Sequence, residues 1–80
     1  MRRIDLSRDI PDECNAIEIH VATRPPCRRV TVYRHEADRE PLRMVHGGTT
    51  IIGRPRDKCL FVETHDEAVE CSLSVFRWLA

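Results

Sequence analysis

Apolar residues at every second position of two central segments restrict the fold of this chain more than any other feature. Residues 16–23, AIEIHVAT, alternate isoleucine and valine with other residues, and residues 28–35, RRVTVYRH, do the same with two valines. Successive side chains of a β-strand point to opposite faces, so a period of two is typical of half-buried strands. The two prolines of RPPC, residues 24–27, cannot donate to a β-ladder and separate the two predicted strands.

Further segments have the composition of strands. They are PLRMVH (41–46), TTIIG (49–53), KCLFVE (58–63) and, as a short edge strand, RRIDL (2–6). Gly47 and Gly48 lie between the first two of these segments. Two strand-like runs joined by Gly-Gly predict a β-hairpin, because both turn residues can take positive φ. In the third strand the alternation predicts Leu42 and Met44 on the core side.

The last part of the chain shows a period near 3.6 instead of two. Apolar residues recur at helical spacing at Val69, Leu73, Phe76 and Ala80. The preceding tetrapeptide, Thr64 to Glu67, has the form of a capping box, in which the first and last side chains each satisfy a backbone N–H of the other residue. We therefore predict a helix from about residue 65 to residue 79 with one apolar face.

Together these elements predict an α+β fold: an antiparallel sheet of about four to five strands with one C-terminal helix packed on one face. The chain has 80 residues, which favours a single small globular domain over residues 1–80. A domain of this size buries only about 60–65% of its unfolded surface, so it has one modest core. The sheet face opposite the helix is expected to be open to solvent.

The charge composition favours some classes of partner over others. Thirteen basic residues, twelve of them arginine, are balanced by thirteen acidic residues, so the formal net charge is zero. A nonspecific nucleic-acid binder normally has a positive excess, because neutralisation of phosphates supplies its affinity. Guanidinium groups are planar and weakly hydrated, and they suit interfaces with carboxylates or phosphates.

Four cysteines and four histidines would suffice for a metal site, but their spacing does not fit one. There is no C-x₂-C pair, and structural zinc sites need closely spaced ligand pairs. We therefore expect no metal and no cofactor. The N-terminal residues have no apolar core of a signal peptide, and no apolar run reaches the roughly 18–20 residues of a membrane span. We expect a cytoplasmic protein that does not enter the membrane, with its cysteines as thiols.

The segment HGGTTIIGRPRDK, residues 46–58, contains near matches to two binding motifs. Gly48 and Gly53 enclose four residues as in a P-loop, but Arg54 and Pro55 follow where Lys and Ser or Thr are required. GRPR, residues 53–56, matches the centre of an AT-hook without its preceding arginine. A turn followed by a solvated loop is the favoured interpretation of both.

The sequence does not favour an enzyme. Arg29, Tyr33, His35 and Arg43 could form the kind of set that small ribonuclease toxins carry on a sheet. Those toxins are usually strongly basic, and a general acid or base needs a pocket that shifts its pKa. One sheet and one helix offer little concavity, so we expect no catalytic residues.

The predicted open sheet face carries arginine and tyrosine, a composition typical of interface centres. Trp78 falls on the side of the predicted helix away from the core, where an exposed tryptophan is a candidate anchor for a partner. The glycine segment continues into a loop with two arginines. The predicted partner-binding residues are Arg29, Tyr33, Arg43, Arg54, Arg56 and Trp78.

These features predict a non-enzymatic protein-binding module that docks on a larger protein or complex as an inhibitor or adaptor. Its size and lack of motifs are typical of small inhibitors carried by phages and mobile elements, including anti-CRISPR proteins. The alternative is a small RNA- or DNA-binding protein that uses the same arginine and tyrosine face. The chain is expected to be a monomer or a homodimer, and a homodimer would form through an uncovered strand edge.

Overall fold

The computed structural model describes residues 1–80 and contains seven β-strands and no helix. The strands are β1 (Arg2–Asp5), β2 (Ala16–Arg24), β3 (Val30–Tyr33), β4 (Arg43–Val45), β5 (Gly48–Gly53), β6 (Cys59–Thr64) and β7 (Glu70–Leu79). The molecule therefore has no helix that is long and apolar enough to span a membrane. The predicted α+β fold class is wrong, and the chain is all-β.

The strands form two antiparallel sheets that share one core. The first sheet has the order β1-β6-β3-β4 and the second has the order β5-β2-β7. One apolar cluster takes buried side chains from both sheets and from the segment between β1 and β2: Leu6, Ile10, Cys14, Ile17, Ile19, Val21, Val30, Val32, Ile52, Leu60, Val62 and Leu73. Because each sheet is apolar on one side, the two inner sides cover each other as in a β-sandwich.

The alternating segments behave as their sequence predicts. In β2 the residues Ile17, Ile19 and Val21 are all buried, whereas His20 between them is exposed. In β3 the two valines are buried and the residues after them are half-buried. The predicted strands in 16–23, 28–35 and 58–63 are confirmed in position, and the RRIDL segment does form an edge strand.

The predicted helix at 65–79 is wrong, because most of this segment is strand β7. It pairs antiparallel with β2 over its whole length, from Ala16 opposite Leu79 to Arg24 opposite Glu70. The segment also has a period of two: Cys71, Leu73 and Val75 face the core, with serines between them. Serine, valine and aromatic residues are also poor helix formers, and the unpaired backbone of β2 supplies hydrogen-bond partners.

The predicted capping box is a turn instead. The Asp66 carboxylate accepts the Ala68 N–H at 2.9 Å, and the Asp66 carbonyl accepts the Val69 N–H at 3.0 Å. The Thr64 hydroxyl donates to the same carbonyl at 3.1 Å. Aspartate side chains favour such local hydrogen bonds to the backbone, and here these bonds stabilise the turn between β6 and β7.

The two glycines do take positive φ, but they do not form a hairpin. Gly47 has φ of 98° and Gly48 has φ of 89°. Strand β4, before them, pairs with β3, and strand β5, after them, pairs with β2. The glycines therefore carry the chain from one sheet to the other. A turn signal predicts the local backbone but not which strands become neighbours, since pairing depends on the free edges of both sheets.

The side chains of β4 face opposite to the prediction. Met44 lies opposite Thr31 on the outside of the first sheet and is 59% exposed. Arg43 lies opposite Val32, and Val45 packs against the core, as does Leu42 just before the strand. The predicted core position of Leu42 is therefore confirmed, whereas that of Met44 is wrong. Strand β4 has only three residues, so its alternation is too short to set its own register.

Candidate partner-binding surfaces

The outer side of the four-stranded sheet carries a group of residues that we call the aromatic face. In the first row Arg3, Phe61 and Tyr33 lie opposite one another across β1, β6 and β3. In the second row Glu63, Thr31 and Met44 lie opposite one another across β6, β3 and β4. Residues opposite one another in an antiparallel pair point to the same side of the sheet, so the six side chains form one surface.

Tyr33 and Phe61 are the centre of the aromatic face. Both are half-buried, which means that neighbouring side chains restrict them while each leaves part of its ring in solvent. Cross-strand aromatic pairs stabilise a sheet by about 0.2–1 kcal/mol and fix each other's orientation. Neither Arg3 nor Glu63 belongs to the two ion pairs of the molecule, Lys58–Asp12 and Arg77–Glu18. The charged groups of this face are thus free to meet a partner.

The outer side of the three-stranded sheet, which we call the ion-pair face, is different. The Arg77 Nε donates to the Glu18 carboxylate at 2.8 Å across β7 and β2. The pairing register shifts beside Glu18, and the extra residue of β7 is Phe76, which is 66% exposed. A bulge that adds one residue re-aims the side chains of its strand. Because Arg77 and Glu18 pair with each other, neither charge is left for a partner.

The structure does not bring the six predicted residues into one surface. Tyr33 lies on the aromatic face, as predicted for the open side of the sheet. Arg29 is exposed just before β3, and its Nη2 lies 2.7 Å from the His65 Nδ1. Arg43 is exposed on the edge strand β4, and its Nη2 donates to the Ile51 carbonyl of the other sheet at 3.4 Å.

The remaining three predicted residues lie elsewhere. Trp78 is on β7 opposite Ile17 and is 45% exposed, because no further strand covers that edge. Arg54 is close to the same end of β7, since its N–H donates to the Asn15 carbonyl and the Asn15 N–H donates to the Leu79 carbonyl. Arg56 lines a depression of about 280 Å³ together with residues 34, 35 and 57.

Acidic residues lie beside two of these arginines, Arg54 and Arg56. Asp57 lines the same depression as Arg56. The pKa of Asp12 is lowered, chiefly by the hydrogen bond from Lys58 and to a smaller extent by the charge of Arg54. Positive and negative groups are therefore interleaved around Arg54 and Arg56, and the predicted arginines do not form one continuous positive stripe. Interleaved charge is the pattern expected of a protein interface rather than of a phosphate-binding track.

A concave region of about 480 Å³, which we call the basic cavity, was not predicted from the sequence. Its polar lining comes from three connections between strands, and includes Arg28, Arg29, His46, His65 and Asp66. No spacing in the sequence joins these residues, because the predicted helix placed residue 65 in the wrong element. The only available signal was the pair of adjacent arginines after the two prolines.

The cysteines and histidines do not converge. No three of the His, Cys, Asp and Glu side chains come close enough to hold a metal ion. All four cysteines are free; Cys14 and Cys59 are buried and Cys27 is exposed. Buried free thiols behave as small apolar side chains, and Cys14 belongs to the core cluster.

Comparisons of the chain with protein-family models, with curated proteins and with solved structures find no match. The function is therefore inferred from the surfaces of the molecule and their chemistry.

Proposed function

We propose that this chain is a non-enzymatic protein-binding module, an inhibitor or adaptor that docks its aromatic face on a larger protein or complex. The observation that carries the proposal is the half-buried cross-strand pair of Tyr33 and Phe61 on the outer side of the sheet, with the exposed Met44 in the adjacent row. Tyrosine, phenylalanine, methionine and arginine are the residues enriched at the centres of protein interfaces.

The geometry of the aromatic face favours docking for an energetic reason. Tyr33 and Phe61 are already restricted by the strands on which they lie, so binding costs them little further conformational entropy. Their exposed ring area would be removed from water in a complex, at roughly 25 cal/mol for each Å² of apolar surface. Arg3 and Glu63 at the rim could pair with opposite charges of the partner and set its orientation.

Nucleic acid is the second candidate, and one feature favours it. An aromatic row that ends in an arginine on an antiparallel sheet has the form of a stacking platform for single-stranded RNA. Against this, Glu63 lies on the same face and Asp5 lies at the next outward position of β1. Two carboxylates beside the platform would repel phosphates, and the chain has no net positive charge.

The test is affinity capture from an extract of the native host, with and without nuclease treatment. We expect one protein or complex to be retained at near-stoichiometric yield in both conditions. Tyr33→Ser combined with Phe61→Ser should abolish this capture, because the desolvated centre of the interface is lost. Phe76→Ser is the matched control, since it removes an exposed aromatic ring from the ion-pair face and should leave capture intact.

Circular dichroism and thermal unfolding of each variant establish that it is folded. Capture that disappears on nuclease treatment would assign the surface to nucleic acid. Capture that survives in the Tyr33→Ser, Phe61→Ser variant would rule out the aromatic face as the docking surface.

A further inference from the structure

The basic cavity is formed where three connections meet at one end of the molecule. The β2–β3 connection contributes Arg28 and Arg29, the β4–β5 connection contributes His46, and the β6–β7 connection contributes His65 and Asp66. Its volume of about 480 Å³ lies in the range of small-molecule sites, which is roughly 300–1,000 Å³.

The cavity has an excess of positive charge without internal pairing. Two guanidinium groups face a single carboxylate, and neither arginine belongs to an ion pair of the molecule. Asp66, the one acidic residue of the lining, uses its Oδ1 to accept the Ala68 N–H at 2.9 Å and so serves the turn. An anion would supply the charge that the protein itself does not provide.

The contact between Arg29 and His65 sets the hydrogen-bonding role of the imidazole. The Arg29 Nη2 lies 2.7 Å from the His65 Nδ1. A guanidinium group can only donate, so the Nδ1 must accept and the proton of the neutral ring is on the Nε2. The His65 ring then presents an N–H donor at its other nitrogen, and Arg29 keeps further N–H groups for a ligand.

The connection that carries both arginines is held in a defined shape. Cys27, immediately before them, has φ of 62°, a left-handed conformation that is uncommon for residues with a side chain. The Arg28 N–H donates to the Thr23 hydroxyl at 3.1 Å and closes the loop. Strained backbone that is held by such contacts is concentrated at binding sites, where it positions groups in advance.

From these observations we propose that the basic cavity binds the phosphate group of a small phosphate monoester. A monoester carries a charge of about −1.5 to −2 near neutral pH and presents three acceptor oxygens, which matches two guanidinium groups and the imidazole donors. A carboxylate has one charge and two oxygens, so it would leave some of these hydrogen-bond donors without an acceptor. Cys27, Pro25, Ala68 and Val69 complete the lining, and the last three would contact an apolar body on the ester.

The proposal does not depend on the aromatic face, which lies on the outer side of a sheet and shares no residue with the cavity. It is tested on the isolated chain by titration with inorganic phosphate, phenyl phosphate and benzoate, followed by amide NMR and calorimetry. We expect phenyl phosphate to bind saturably, more tightly than inorganic phosphate and at least tenfold more tightly than benzoate, with shifts at residues 27–29 and 65.

Arg28→Gln and Arg29→Gln should each weaken phenyl phosphate binding roughly tenfold or more, since each removes charge-assisted hydrogen bonds. Arg39→Gln, an exposed arginine outside the cavity, is the matched control and should bind like the parent chain. All three variants should keep the dispersed amide spectrum of the fold, because the substituted side chains are exposed.

Failure of phenyl phosphate to saturate at millimolar concentration would overturn the proposal. So would equal affinity for benzoate, or an affinity that Arg28→Gln and Arg29→Gln leave unchanged. A phosphoserine peptide that binds at least tenfold more tightly than phenyl phosphate would assign the cavity to a protein partner instead of a small molecule.

Discussion

The aromatic face and the ion-pair face are both outer surfaces of antiparallel sheets in the same small sandwich, but their charged side chains differ in whether they form an ion pair. On the ion-pair face Arg77 and Glu18 join across neighbouring strands. On the aromatic face Arg3 and Glu63 have no such partner, and the centre is the ring pair of Tyr33 and Phe61.

Exposure alone does not distinguish a binding surface from the rest of the protein surface. Phe76 on the ion-pair face is more exposed than either ring of the aromatic face, yet it stands at a bulge beside a charge pair that is already satisfied. The aromatic face instead combines restricted rings with unpaired charges. Interfaces need both properties, because the rings supply desolvation energy and the charges supply orientation.

The largest expected effect is a difference in stability between substitutions on the two sides of β6. Leu60 is fully buried and points to the core, whereas its neighbour Phe61 points to the aromatic face. Leu60→Ala should lower the free energy of unfolding by about 2–5 kcal/mol, because it leaves a cavity between the sheets. Phe61→Ala should cost clearly less. Urea unfolding of both variants measures this, and equal costs would show that Phe61 is part of the core.

The next effect concerns binding to the captured partner. Tyr33→Ala should weaken the affinity by about 2 kcal/mol or more, which is the size of an aromatic hot spot. Phe76→Ala should leave the affinity within a few tenths of a kcal/mol. Calorimetric titration of both variants compares the two faces directly. A loss of affinity that is greater for Phe76→Ala would move the binding surface to the other sheet.

A smaller effect is expected from breaking the ion pair. The Glu18 side chain is only 16% exposed and the Arg77 side chain is 58% exposed. Arg77→Leu should therefore lower the free energy of unfolding by about 1 kcal/mol, because it leaves a largely covered carboxylate without its partner. Arg3→Leu on the aromatic face should be nearly neutral. A double-mutant cycle with Glu18→Gln isolates the pairwise energy, and an additive result would mean that the pair does not stabilise the fold.

The smallest effect is a dependence on pH from the more exposed pair, Lys58 and Asp12. The hydrogen bond from Lys58 lowers the pKa of Asp12 below its ordinary value of 3.8. A lowered pKa in the folded state gives stability that is present above the ordinary pKa and is lost as the pH falls through the folded one. Asp12→Asn should therefore lower the free energy of unfolding slightly above about pH 4, where the charged pair contributes, and leave the stability at lower pH unchanged. Thermal unfolding at several acidic pH values measures it.

The alternating segments were predictable because their signal is local. The valines of β3 and the apolar residues of β2 repeat every second position over several residues, and only a strand buries them on one side. Tyr33 could therefore be placed on the outer surface from sequence alone. The three residues of β4 are too few to show a repeated alternation, so the sequence predicts the wrong side of the sheet for Met44.

The C-terminal segment shows where local patterns stop being sufficient. Leu73 fits both a helical stripe that includes Val69 and Phe76 and a strand pattern that includes Cys71 and Val75. Both patterns bury apolar surface, so the sequence of the segment does not choose between them. The choice depends on β2, whose free backbone groups gain hydrogen-bond partners when residues 70–79 lie beside it as a strand.

The residue pattern alone established the positions of β2, β3 and β6, the positive φ of the glycine turn and the chemistry available on the outer side of β3. The packing of the whole chain determined the rest: that β4 and β5 belong to different sheets, that β7 replaces a helix, and that Arg29 and His65 meet in one cavity. The physical reason is the sequence separation over which each interaction acts. Side-chain alternation acts between neighbours along the chain, whereas the pairing of edges and the meeting of loops depend on contacts between residues that are far apart in sequence.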